Sequence, residues 1–436
     1  MALPALRGIA AMDSLARLNR RRFSAWLGAG LLGGAATARA QEERKTLVVA
    51  SFPDLDRAAL AARQQWSRLH PDVELKIVSL QIADHHTAMT TALATGAGLP
   101  DVMALDFRFV GKFAASGGLE DLAGPPYNGM ALRDRFERYA FTQAINKKGA
   151  LTTMPTDIGP GTLLYRKDLF DQSGVSEAAL TASWDGFLAA GRKLKAATGA
   201  YLLGDAGDLR DILLRAGVRD GEGLYFDAEG HVLVESERFV HAFEMSAQAH
   251  RDGLDGRAQP WSNDWVAGLK HGHIATQLMG AWLTGHLRNW IAPDQSGLWR
   301  SAPLPGGAFA SYGGSFYAIP KKSRHKQLAW DFIKLLCADR EVQLQSLRVL
   351  DSFPALLEAQ QDASMEAPIP YLGGQRARLM WRDIAAKVPA IPVNRYDAVA
   401  TDVIRDAFEQ VITEGVAVRQ ALRDARVLIE HRARWR

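Results

Sequence analysis

The residues of this chain best placed to do chemistry are acids, amides and aromatics at the ends of predicted strands. Phe52 and Asp54 follow the apolar run TLVVAS (46–51), Gln81 follows DVELKIVSL (72–80), and Asp106 closes DVMALD (101–106). Acids and amides hold hydroxyl groups by hydrogen bonds, more strongly when the acid is ionised, and aromatic faces take up C–H surface. Such groups are the ones a ligand site draws on. Asp157 stands in PTDIGPGTLLYRKDLF (155–170), where Pro155, Gly159, Pro160 and Gly161 bar a helix. Gly313-Gly314-Ser315 offers bare backbone and one hydroxyl at the start of a strand. Each has a purely structural alternative: a helix cap at Asp106, a side-chain turn at Asp157, a bulge at the glycine pair.

Reaction chemistry finds less support. His85 and His86 are adjacent on a predicted helix and do not share a face, and His271-x-His273 has no cysteine or convergent acid beside it, so no metal site is expected. The chain holds no phosphate loop, no G-x-S-x-G and no H-E-x-x-H. A carboxylate pair suited to glycoside hydrolysis depends on separation in space and stays open at this level. The single cysteine, Cys337, excludes an internal disulfide framework, and its place in the amphipathic WDFIKLLCADR makes it a core residue. No cofactor is expected.

The elements that must position these groups begin as strand, helix, strand, helix, strand. TLVVAS is a continuous apolar run, DLDRAALAARQQWSRLH (54–70) has helical spacing and stops at Pro71, DVELKIVSL alternates, DHHTAMTTALATGAG (84–98) is helical, and DVMALD is a third strand. That order gives an α/β fold with a parallel sheet, whose ligands meet the carboxyl ends of the strands. Residues 170–300 read as mostly helical, with caps at Ser183 and Asn263 and helix ends at Gly199, Gly253 and Gly272. Strands return in HIATQLMG, WRSAPLP and YGGSFYAIP. RHKQLAWDFIKLLCADREVQLQSL (324–347) reads as one long helix, and the chain beyond Arg395 as two helices broken at Gly415.

The 436 residues carry a net charge of +4, but residues 1–40 hold six arginines against one aspartate, a local +5 that leaves −1 for the rest. The basic excess therefore gives no support to nucleic-acid binding. A basic start, a short apolar stretch from Ala25 to Ala36 and Ala38-Arg39-Ala40 have the order of a cleavable export signal, and Arg20-Arg21-Arg22-Phe23 matches the heart of a twin-arginine signal. The expectation is cleavage after Ala40, with translation starting at Met1 or Met12, export by the twin-arginine machinery and residence in the periplasm. No cysteine follows the apolar stretch to carry a lipid anchor.

Taken in order, the segments resemble an extracellular solute-binding protein of an ABC importer, in the carbohydrate-binding family that includes maltose-binding protein. The resemblance is carried by LPDVMALDFRFVGKFAASGGLEDL (99–122), MPTDIGPGTLLYRKDLFDQSGV (154–175), SWDGFLAAGRKL (183–194), LKHGHIATQLMGAWLTG (269–285), APLPGG followed by YGGSFYAIPKKSRHKQLAWDFIKLL, and YLGGQ (371–375). It implies two α/β lobes joined by crossing strands at a hinge, with an interlobe cleft for the ligand. It divides the mature chain into an N-terminal lobe of 41–155 plus 300–347 and a C-terminal lobe of 156–299 plus 348–436. It makes 155–161 the crossing point, aims Asp157 into the cleft and puts Trp282 where the family stacks a sugar. Asp106, Gly313, Gly314 and Ser315 join them, with Phe52, Asp54, Gln81, Trp265 and Arg395 as further candidates, and Trp261, Phe353 and Tyr371 on segments that could face the cleft. Tyr165 is read as packing. The resemblance implies a monomer that binds a carbohydrate or polyol, delivers it to the permease and catalyses no reaction. The alternatives are a periplasmic glycan-processing enzyme, or the same fold with a non-sugar cargo.

Overall fold

The computed structural model describes residues 45–434, so the expected leader lies outside the described residues. Eight strands form one sheet: β1 (Lys45–Ser51), β2 (Val73–Ser79), β3 (Val102–Asp106), β4 (Met154–Arg166), β5 (Thr276–Gly280), β6 (Trp299–Ala302), β7 (Ser311–Ala318) and β8 (Phe353–Pro354). Their order is β2-β1-β3-β7-β4-β5, with β6 and β8 also pairing β4. β1 runs parallel to β2 and β3, as the alternation of strand and helix predicts. Val102, Met103, Ala104 and Leu105 of β3 are fully buried, which a central strand covered on both faces requires.

β4 joins the two halves. Its first part pairs with β7 antiparallel, with register shifts between Pro155 and Asp157 and between Ile158 and Pro160; its second part pairs with β5 and β6. Two apolar cores flank it. One is built on β1, β3, β7 and the helix Lys326–Ala338; the other on the helices Trp184–Thr198, Ala206–Ala216, Glu237–Arg251 and Asp397–Glu409. Leu163 and Tyr165 of β4 face the second core, while Met154, Ile158 and Leu164 belong to the first. The first core also takes in Trp265, Met279, Trp299, Phe353 and Trp381, residues that the sequence-based division groups with the second lobe.

Most predicted elements are present, and the departures have simple causes. The single helix expected over 324–347 is two, Lys326–Ala338 and Arg340–Leu350, because Asp339 turns the chain and its Oδ1 accepts the Val342 N–H at 3.0 Å. The helix expected over 54–70 also divides, at Ala62. Ser262 caps the helix Asn263–Lys270 in place of Asn263, accepting the Trp265 N–H at 3.1 Å. Ser183, Gly199 and Gly415 act as predicted, the last two with positive φ. Cys337 is buried. No helix among the described residues is long and apolar enough to cross a membrane.

Candidate functional site

A cavity of about 930 Å³ opens over the carboxyl ends of β1 and β3 and the start of β7. One wall is a polar row fixed by strand register. Asp106 on β3 pairs with Ser315 on β7, and Ser315 pairs with Asp157 on β4. The register thus brings together three polar residues that are far apart in sequence. Asp106 is also the cap of the helix Phe107–Ala115: its Oδ1 accepts the Arg108 N–H at 3.1 Å and the Arg108 Nε–H at 2.7 Å. Beneath it, His86 donates from Nδ1 to the Ile82 carbonyl at 2.6 Å, and its Nε2 accepts the Asp106 N–H at 3.0 Å. Burial lowers the His86 pKa to about 4, so the ring stays neutral and keeps that arrangement. His85 donates from Nε2 to the Ala104 carbonyl at 2.7 Å. Both histidines are thus engaged in holding the end of β3.

Asp157 is the least satisfied member of the row. Its Oδ1 is buried with no hydrogen-bond partner. Burial raises its pKa to about 6, opposed by hydrogen bonding from Ser315 and reinforced by the nearby charge of Asp106. An acceptor held in this state is matched to a donor that the protein itself does not supply.

The opposite wall is aromatic. Trp261, Trp282 and Trp290 line the cavity together with His286. The indoles of Trp261 and Trp282 lie 6.0 Å apart at 16°, and the His286 ring is 5.2 Å from Trp261, 5.6 Å from Trp282 and 6.1 Å from Trp290. Trp290 donates its indole N–H to His286 Nδ1 at 3.1 Å, and His286 Nε2 lies 3.3 Å from Asp54 Oδ2 on the loop after β1. Burial lowers the His286 pKa; Asp54 opposes this and Arg57 adds to it. The neutral ring accepts from Trp290 on one side and keeps its Nε2 close to Asp54 on the other. Asp54 and Trp261 both have φ of 73°, a left-handed conformation that non-glycine residues rarely adopt and that clusters at binding sites.

The glycines of the site are explained by one side chain. Trp282 donates its indole N–H to the Tyr312 carbonyl at 2.8 Å. A Cβ at Gly280 would lie 2.2 Å from that nitrogen, and one at Gly313 2.6 Å from it. A Cβ at Gly159 would lie 1.9 Å from the Tyr312 oxygen. Gly313 and Gly314 also take φ of 104° and 127°. The glycine pair therefore serves both the irregular strand expected from sequence and the seating of the tryptophan.

Asp106, Asp157, Trp282, Gly313, Gly314, Ser315, Phe52, Asp54 and Gln81 all line the cavity, as does Trp261. Trp265 and Arg395 are not among its lining residues. Trp265 is 0 % exposed and donates its indole N–H to Gln277 Oε1 at 3.2 Å behind Trp261, while Arg395 lies over the ring of Tyr396. Phe353 and Tyr371 are core residues, and Tyr165 packs as expected, its hydroxyl donating to Glu177. Sequence reasoning missed Arg108, Arg215, His286, Trp290 and Tyr312, all of which line the cavity. Trp282, His286 and Trp290 follow one another at intervals of four, a helical stripe that was there to be read. Nothing comparable marked Arg215.

The chain matches the family described as bacterial extracellular solute-binding protein over residues 50–342. It is 27 % identical over 346 residues to a lactose-binding protein of Rhizobium radiobacter, an alignment covering 76 % of this chain and 79 % of that one. Its fold is similar to that of the ABC transporter associated binding protein of B. animalis subsp. lactis, solved with β-1,6-galactobiose: TM-score 0.74, 22 % identity, 88 % of this chain and 96 % of that one. It is also similar to the sugar-binding protein MalE of Xanthomonas citri: TM-score 0.73, 20 % identity, 90 % and 98 % of the two chains. With a family match spanning most of its length and neighbours of the two-lobe binding fold, this chain belongs to the bacterial extracellular solute-binding proteins.

Proposed function

We propose that the protein is the binding component of a carbohydrate importer of the ABC class and that its ligand occupies the cavity between the polar row and the tryptophan wall. The observation that carries this reading is the pairing of an unsatisfied carboxylate, Asp157, with three tryptophans around one cavity. A sugar ring needs both surfaces at once: acceptors and donors for its edge hydroxyls, and an aromatic plane for its C–H face. Trp282 supplies the plane at the floor, and Trp261 and Trp290, 49 % and 51 % exposed, extend it outward. Asp106 and Ser315 add hydrogen-bonding groups to that of Asp157.

Capture then needs no bond made or broken. The helices Ala206–Ala216 and Asp397–Glu409, built on the second core, contribute Arg215 and Thr401 to the cavity, while Asp106 and Phe107 come from the first. A ligand touching both favours the closed arrangement over the open one, with β4 and β7 as the crossing elements. The closed monomer delivers its cargo to the membrane permease. Export by the twin-arginine route and residence in the periplasm complete the proposal and rest on residues 1–40. A thermal-shift screen over monosaccharides, oligosaccharides, polyols and sugar acids tests it, since a ligand of the native state raises the melting temperature by mass action. A rise with at least one sugar is expected. No shift with any of them, or release of a hydrolysed product from an oligosaccharide, overturns it.

A further inference from the structure

The sequence nominates Arg395 as a group that could meet an acidic sugar, but the cationic residues that line the cavity are Arg108 and Arg215. They are in different states. Arg108 is neutralised by Asp106 at 2.7 Å. Arg215 has no carboxylate within ion-pair distance among the described residues, and its Nε is buried without a hydrogen-bond partner. Its guanidinium is held instead between two aromatic rings, 5.1 Å from the centre of Phe107 and 4.6 Å from that of Tyr312. Stacking of this kind fixes the plane of the fork and leaves its edge N–H groups to be used.

The acids around Arg215 do not answer it. Asp211, one turn earlier on the same helix, also lines the cavity but is paired with Arg210 at 2.7 Å. Asp402 is paired with Arg405 at 3.0 Å. Asp397 accepts the Asn394 N–H at 2.6 Å, and burial raises its pKa to about 7. Asp208 is fully buried and raised well above the ordinary carboxylate range, chiefly by desolvation. A half-buried cation therefore faces the cavity without an ion pair among the described residues, an arrangement suited to an anionic partner from outside the chain.

We propose that Arg215 receives the anionic group of a sugar acid whose hydroxyls are held by Asp157 and Ser315. The inference rests on reading the cavity as a sugar site and names the class of sugar. The spacing is suitable: Tyr312, on which Arg215 lies, is three residues from Ser315 along β7, at most about 10 Å even were Gly313 and Gly314 fully extended. A single pyranose ring with one charged substituent, or a short oligosaccharide with a charged end, spans that distance. Trp282 sits between the two ends, tied to the Tyr312 carbonyl. The charge belongs at the Arg215 end because Asp157, which has no ion-pair partner among the described residues, would repel it at the other, whereas Asp106 is already paired with Arg108.

Titration calorimetry on the purified protein decides the matter, with glucuronate- and galacturonate-ended disaccharides, hexose 6-phosphates and the neutral parent sugars as probes. An acidic probe is expected to bind at least about tenfold more tightly than its neutral parent, the scale of one charge-assisted hydrogen bond. Whether the carboxylates or the phosphates bind then identifies the anion. Arg215→Gln is expected to collapse the acid-to-neutral ratio by about 10- to 100-fold, and Arg215→Lys, which keeps the charge and loses the fork, to restore part of it. A neutral parent that binds as tightly as the acid overturns the inference and leaves the sugar-binding reading standing. An unchanged ratio in a folded Arg215→Gln also overturns it; if that variant does not fold, an unchanged ratio in Arg215→Met, which likewise removes the charge, does so instead. Failure of every sugar, charged or neutral, to bind removes the sugar-binding reading and this inference with it.

Discussion

The two walls of the cavity are built by different means. The polar row is set by backbone: Asp106, Ser315 and Asp157 are neighbours because three strands pair in one register, and a histidine below holds the Asp106 N–H. The aromatic wall is set by side chains. Trp282, His286 and Trp290 lie on a short helical segment running into a π-helical turn; their rings touch edge to face, indole N–H groups tie Trp290 to His286 and Trp282 to the Tyr312 carbonyl, and His286 Nε2 lies near Asp54. That segment is in turn clamped from behind. Arg288 reaches the fully buried Asp351 at 3.0 Å, Arg378 reaches it at 3.3 Å, and Gly285 comes so close that a Cβ there would lie 2.2 Å from the Leu350 carbonyl. The difference teaches that the polar wall fails only when strand geometry fails, whereas the aromatic wall can be dismantled one contact at a time.

The largest effect belongs to the aromatic wall. Trp282→Ala removes the innermost stacking plane and its buried area, and should weaken ligand binding by roughly 2–4 kcal/mol in titration calorimetry. Gly280→Ala reaches the same side chain from behind. Its new Cβ would fall 2.2 Å from the indole nitrogen, so the ring must leave its place and the bond to Tyr312 must break. It should cost binding nearly as much as Trp282→Ala while every polar group in the row remains. An affinity close to wild type in Gly280→Ala would show that the placement of Trp282 does not matter to the ligand.

Asp157 breaks the comparison from the other side, because its function and its stability effect have opposite signs. Its pKa in the folded protein, about 6, is above the ordinary 3.8, so the native state holds the proton more tightly than the unfolded chain. The protein is therefore most stable, as far as this group is concerned, below the unfolded value. It loses that stability as pH rises through about 6 and gains no further change above. Asp157→Asn should raise the stability of the unliganded protein at pH 8 by about 1–3 kcal/mol and leave it unchanged at pH 4. The same variant should bind ligand more weakly, by about 1.5–3 kcal/mol for a lost charge-assisted bond. In the wild type, affinity should fall as pH drops below about 6, as the acceptor is protonated. Denaturant melts at the two pH values and calorimetry across pH 5–8 check all three statements, and a destabilised Asp157→Asn at pH 8 contradicts the reading of an unsatisfied acid.

These contrasts also explain what the sequence made legible. The strand ends were readable because in a parallel sheet ligands meet the carboxyl ends of strands, and that rule placed Phe52, Asp54, Gln81 and Asp106 on the cavity. Pairing across β3, β7 and β4 was not readable, since no local pattern fixes which strands become neighbours; the family resemblance alone aimed Asp157 inward. Asp339 was hidden because a capping acid within a continuous helical pattern looks like one more exposed position. Trp265 and Trp261 are four residues apart and equally aromatic, but one is fully buried behind the other, and composition does not say which ring comes first. Arg215 gave no signal because it ends an amphipathic helix whose packing, not its pattern, turns that end toward the cavity.

The smallest expected effect tests the side-chain linkage itself. Trp290→Phe keeps an aromatic face at the mouth of the cavity and removes the N–H that His286 Nδ1 accepts. The net value of such a bond is about 0.5–1.5 kcal/mol, so binding should weaken several-fold, well short of Trp282→Ala. Loss of that donor also frees His286 Nδ1 to take a proton; burial still holds the His286 pKa down and Asp54 still opposes it, so the pKa should rise part of the way toward its ordinary value. The imidazole resonances of His286, followed by NMR against pH, give that shift independently of affinity. If Trp290→Phe proves as damaging as Trp282→Ala with no change in the His286 titration, the mouth of the aromatic wall holds ligand by direct contact, and the hydrogen bond to His286 is not what orders it.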